Sequence, residues 1–226
     1  MTRLAPLLIL TACLGWAAAA EPDAKVVVDS ARKSVSIPAV VAPRKLPNLD
    51  QVYPIEVIAT FGYKAGTKGK AHETVLVTTA KPSEVHKALE SLGLSPGKPA
   101  KGEGAAAAGP EVAVYVELPG AGGAPGKRLS LDKVLLDPKT KKPMPKGVKF
   151  RFTGSSRAQP SPDKPDTVYA ADLTGTLIAI FPVTDETVLQ SSLTMAEEKY
   201  LKLEVNAAAL PKEGEPVRLV LEVVGK

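Results

Sequence analysis

Short runs of alternating and β-branched residues, separated by glycine and proline, recur along nearly the whole chain. Each such run can bury one face only by pairing with another, so sheet has to form before anything else. Residues 26–28 and 34–41 flank 29–33 as a hairpin. Pro38, Pro43 and Pro47 then break the pattern. Residues 55–61 and 73–79 read as a second hairpin whose long tip, 62–70, is rich in Gly and Lys. Residues 111–118, 148–153, 200–205 and 217–223 continue the series, the last two joined by a turn at 211–214. Residues 168–173 and 176–181 read as a strand pair around Thr174-Gly175, and 129–136 as either a strand or a short helical turn.

One clear helix is predicted over about 81–93. Pro82 suits a first helical position, and Glu84 places an acid in the first turn. Val85, Ala88, Leu89 and Leu92 form one apolar face, and Gly93 stops the helix. Thr184, with Asp185 and Glu186 behind it, predicts a second, short helix over about 184–190. The expected class is therefore α+β, β-rich and mostly antiparallel. Residues 96–110, rich in Gly, Ala, Lys and Pro, read as a flexible loop or linker. A mature domain over 21–226 then forms either one unit or two lobes, about 25–95 and 111–225.

The first twenty residues read as an export signal. Arg3 precedes an apolar run over 4–14, and the small residues Ala18 and Ala20 predict cleavage after Ala20. The run is too short for a membrane anchor, which needs about 20 apolar residues. A competing reading takes Leu10-Thr11-Ala12-Cys13 as a lipoprotein box with lipid on Cys13. Both place the protein in the periplasm or cell envelope, touching membrane only through that lipid. Cys13 is the only cysteine, so no internal disulfide, cysteine-ligated zinc or iron–sulfur cluster is expected. Lys and Arg total 29 against 24 Asp and Glu, and aromatic residues are 4 % of the chain. A balance this mild, in an exported chain with so few stacking rings, excludes nucleic acid as an expected partner.

Several segments together resemble a known family. Gly69-Lys70-Ala71-His72-Glu73-Thr74 comes first, then Val85-His86-Lys87-Ala88-Leu89 with Leu92-Gly93. Phe152-Thr153-Gly154-Ser155 and Tyr169-Ala170-Ala171-Asp172-Leu173-Thr174-Gly175 follow. Ala209-Leu210-Pro211 and Gly214-Glu215-Pro216-Val217 close the series. In this order the segments resemble the YdjY-like family of bacterial exported proteins, from about Val26 to Val224. The resemblance implies no assigned reaction. Some relatives are associated with iron–sulfur proteins, a role that a chain with one cysteine does not take over.

His72, Glu73 and His86 are the candidate site residues, with Lys70 beside them in the first segment. His72 and His86 are the only histidines. Two imidazoles and a carboxylate can hold a divalent ion or exchange a proton near neutral pH. The structural alternative is that they hydrogen-bond the hairpin to the helix. Glu73 would also point away from His72 on a regular strand. Gly154-Ser155 lacks the Gly-x-Ser-x-Gly elbow of hydrolases, and no phosphate loop or calcium loop is present. The basic stretch from Lys139 to Arg157 holds no acid, and reads as a surface for anionic lipid headgroups or acidic glycans, or as a solvated loop and the outer face of one strand. No cofactor is expected. The leading expectation is a non-enzymatic binding or assembly module engaging an envelope protein or ligand. The alternative is metal-dependent or acid–base activity centred on His72 and His86.

Overall fold

The computed structural model describes residues 25–47, 49–62, 69–120, 125–163 and 165–225. Cys13, Ala20 and the rest of the export signal lie outside the described residues. The first strands are β1 (Val27–Asp29), β2 (Ser34–Val41), β3 (Val57–Phe61) and β4 (Thr74–Thr78), followed by helix α1 (Pro82–Ser91). Next come β5 (Glu111–Pro119), β6 (Pro125–Ser130), the short helix α2 (Leu131–Val134), β7 (Leu135–Leu136), β8 (Phe150–Phe152) and β9 (Arg157–Ala158). The chain ends with β10 (Val168–Tyr169), α3 (Ala170–Thr174), β11 (Thr176–Ala179), β12 (Leu189–Ser191), α4 (Met195–Glu198), β13 (Glu204–Val205) and β14 (Pro216–Val223).

Alternation in β14 and β5 puts Val217, Leu219 and Leu221 beside Val112, Val114 and Val116, all buried. Strand β14 lies between β2 and β5, and these three form the centre of one sheet, β1-β2-β14-β5-β6, antiparallel throughout. The second sheet runs β4-β3-β11-β12-β8. The two join at corners where β2 passes to β4 and β5 passes to β8, closing an eight-stranded barrel. At each corner a strand forks. The start of β2 pairs with β1 and its end with β4; the start of β5 pairs with β8 and the rest with β6. Closure removes the sheet edges of those eight strands, and a barrel of this size is filled by its own side chains. Ile37, Leu76, Phe152, Ile178, Leu189 and Leu219 are among the fully buried residues inside. The apolar face of α1, Val85, Ala88 and Leu89, packs into the same core.

Pro38 sits within β2 rather than ending it. It lies between Ser36, the last partner of β1, and Val40, the first partner of β4. Its missing N–H falls where β2 is changing neighbours, and its carbonyl accepts the Thr78 hydroxyl at 2.8 Å.

Other expectations need correction. Strands β3 and β4 pair in parallel, not as a hairpin. The chain returns to the start of β3, where the Glu56 N–H donates to the Glu73 carbonyl at 3.0 Å, before β4 begins. No helix forms over 184–190. Thr187 and Gln190 are buried there and give their side chains to backbone carbonyls, and the segment passes through bends into β12. Residues 170–174 form α3, not a strand. Ala170 and Ala171 favour helix, Ser156 and Ser155 accept their N–H groups, and Gly175, at φ +74°, ends it. Residues 200–205 and 217–223 do not pair with each other; β13 pairs with β7.

The segment 96–110 is tied down. Lys98 and Ala108 bridge each other, and the Gly97 N–H donates to the Phe152 carbonyl at 2.9 Å. The buried Gln190 amide accepts from Ala100 N–H and donates to the carbonyls of Ala100 and Thr184. Strands from 25–95 and 111–225 alternate around one barrel, β14 against β2 and β11 against β3, so a division into lobes at this loop does not describe it.

Candidate functional site

The first histidine, His72, lies on a 3-10 turn, Ala71–Glu73, just before β4. Strand alternation therefore does not separate it from Glu73, and His72 Nε2 lies 3.9 Å from Glu73 Oε2. The His72 ring meets Tyr53 edge to face at 5.2 Å. Arg44, which sequence reasoning missed, holds this turn. Its guanidinium bonds the carbonyls of His72 and Tyr53 and forks onto the Glu204 carboxylate at 2.7 and 3.1 Å. A fork of five fixed donors suits such a junction, and with its side chain 12 % exposed the pair is well screened from water. Nearby Glu56 is pushed above the usual carboxylate range by burial, then by the charges of Glu73 and Glu198, with Lys202 and Lys70 opposing.

The second histidine, His86, lies on α1 in a different setting. Its Nδ1 is 2.8 Å from the Tyr169 hydroxyl, which also accepts the Ser155 N–H at 3.1 Å. Burial pushes the Tyr169 phenol up, and the charges of Asp172 and Glu90 add to this against the Ser155 bond. Held above its usual range, the phenol keeps its proton, and its hydroxyl shares one hydrogen bond with His86 Nδ1. His86 Nε2 then faces Glu90, four residues along α1, at 3.3 Å. The ring packs edge-on against Phe152 and Tyr169 at 4.9 and 5.2 Å. Gly154, at φ +67°, lets His86 and Pro96 approach; a Cβ there would come within 2.9 Å of Pro96. His72 and His86 share no side-chain partner, and among the described residues no three His, Asp, Glu or Cys side chains are placed to hold a metal ion.

Helix α3 joins α1 to the barrel. Asp172 Oδ1 accepts the Ser83 N–H at 2.8 Å, supplying the carboxylate that the α1 N-terminus favours. The Gly175 carbonyl accepts from the Phe61 N–H and the Thr60 hydroxyl. A Cβ on Gly175 would meet the Phe61 carbonyl oxygen at 2.6 Å. Between α3, the end of β3 and Lys70 opens a cleft of about 200 Å³, lined by Thr60, Phe61, Lys70, Asp172, Leu173 and Thr174 among others. Lys70 Nζ reaches Thr176 Oγ1 at 2.8 Å and forms no ion pair among the described residues. Leu173 stands at the rim, 49 % exposed. Of the four residues the sequence singles out, the structure thus places His72 and Glu73 at the Arg44 clamp, His86 in a closed hydrogen-bond network, and Lys70 in an open cleft. Tyr169, Asp172 and Leu173 stand within the Tyr169–Gly175 segment, so their grouping was the signal available in the sequence.

A closed β-barrel with its recurring short segments gathered around α1 and α3 is the class that this fold and site define. The YdjY domain profile matches residues 26–222, nearly the whole of that barrel, and the chain belongs to the YdjY domain family. No curated protein and no solved structure matches it significantly.

Proposed function

We propose that this chain is an exported cell-envelope binding module, which engages its partner through the cleft between Lys70 and α3. One observation carries the reading. Two segments a hundred residues apart in sequence, 69–74 and 169–175, meet around an open cleft. Of the other candidates, His86 faces Tyr169 and Glu90, and His72 and Glu73 lie beside each other on the turn whose His72 carbonyl Arg44 holds. A half-buried ammonium whose partner among the described residues is a hydroxyl favours an anionic group, and the exposed Leu173 offers an apolar contact beside it. The reading of residues 1–20 as an export signal supports a site of action in the periplasm or envelope, with the module free or held by lipid on Cys13. Among the described residues no ligand set gathers around His72 and His86, which weighs for the binding reading over metal-dependent chemistry there.

The test is copurification from solubilised envelope at endogenous expression. Lys70→Glu is expected to lose the partner that wild type retains, whereas Lys212→Glu, on the exposed loop before β14, retains it. Equal recovery with Lys70→Glu would refute the assignment of the cleft.

A further inference from the structure

A second cleft has a different origin. Strand β5 pairs with β8 at Glu111 and Val112 and with β6 from Tyr115 onward. Ala113 and Val114 lie in the fork, with no register partner on that side. The chain opens there into a cleft of about 350 Å³, within the size range of small-molecule sites. Its floor is apolar, with the buried Val114, Leu131, Met144 and Phe150 beneath. Its rim carries charge. Glu111 and Lys149 neutralise each other at 2.8 Å. Asp132 accepts the Ser130 hydroxyl and lies 3.9 Å from Lys133. Lys146 is the rim charge with no ion pair among the described residues, and it belongs to the stretch from Lys139 to Arg157 that contains no acid.

We propose that this fork cleft binds a small amphipathic anion, its flat apolar body over the Val114–Phe150 floor and its anionic group on Lys146. The apolar floor selects for a ring or short hydrocarbon, and the one uncompensated charge selects the sign of the head. Met144, flexible and polarisable, lets the floor accept more than one ring shape. This site is independent of the Lys70 cleft and stands or falls separately.

The probe is anilinonaphthalene sulfonate, an aromatic anion whose fluorescence rises in apolar surroundings. Its uncharged phenylnaphthylamine counterpart serves as the control for charge. The expected result is saturable one-site binding, weakened about two- to fivefold by Lys146→Ala, as befits an exposed ion pair. Ala113→Phe, which fills the mouth of the fork from the outer face of β5, is expected to abolish binding without lowering the melting temperature. Should Ala113→Phe perturb the fold, amide shifts in wild type decide: perturbation centred on Ala113 and Val148 supports the site, and perturbation elsewhere overturns it. Non-saturable binding, equal affinity for the uncharged compound, or no effect of Lys146→Ala would also overturn it.

Discussion

Tyr169 is the residue on which most of the α1–α3 junction turns. Its hydroxyl closes two bonds, to Ser155 N–H and His86 Nδ1, in a half-buried position. Tyr169→Phe leaves both groups without their partner, and urea denaturation is expected to show a loss of about 1–3 kcal/mol. Glu56 gives the opposite sign. Its carboxyl is held above the usual range by burial and by Glu73 and Glu198. A raised folded-state value adds stability below the ordinary carboxylate range, and that stability is lost as the pH rises through the folded value. At neutral pH the ionised Glu56 therefore opposes folding. Glu56→Gln is expected to raise the melting temperature at pH 7, with the gain vanishing in acid, where Glu56 is protonated in both states. A melting series across pH checks this. Neither role was legible from residue type. The sequence marks His72 and His86 because imidazole is rare and versatile, but only the fold shows that Tyr169 already bonds His86 and that Arg44 fixes the His72 turn through its carbonyl.

At the scale of elements, legibility followed the distance over which each element is determined. Helix α1 was readable because its signals are local: Pro82, the Glu84 carboxylate returning to the Lys81 N–H at 3.1 Å, and the apolar face. β5 and β14 were readable from alternation alone. The helix expected over 184–190 failed because buried Thr187 bonds to β11 and buried Gln190 to Ala100 in the loop 96–110, a tertiary demand that local propensity does not contain. The same Gln190 orders a loop whose composition reads as flexible. Gln190→Leu strands the N–H and carbonyl of Ala100 in the interior. The expected cost is about 2 kcal/mol or more. Hydrogen exchange should show lost protection at Ala100, Lys98 and Ala108 while the β14 amides keep theirs.

For the molecule as a whole, sheet content was legible and closure was not. Each strand advertises a face to bury but not its neighbour, and the parallel β3–β4 pair depends on the Arg44 clamp returning the chain to the start of β3. Because β2 and β3 find their partners β14 and β11 across the sequence, neither half has a closed sheet of its own. Calorimetry of the whole chain is expected to show one transition whose van't Hoff and calorimetric enthalpies agree; two resolved transitions would contradict a single barrel. The proposed site belongs to this scale too, since the cleft exists only where 69–74 and 169–175 are brought together. The most direct measurement places a photo-cross-linking residue at Leu173 on the rim and, for comparison, at Lys212, in living cells. The account predicts a discrete partner adduct from position 173 that Lys70→Glu removes, with none from 212. Adducts of equal intensity from both positions, or an adduct at 173 indifferent to Lys70→Glu, would contradict it.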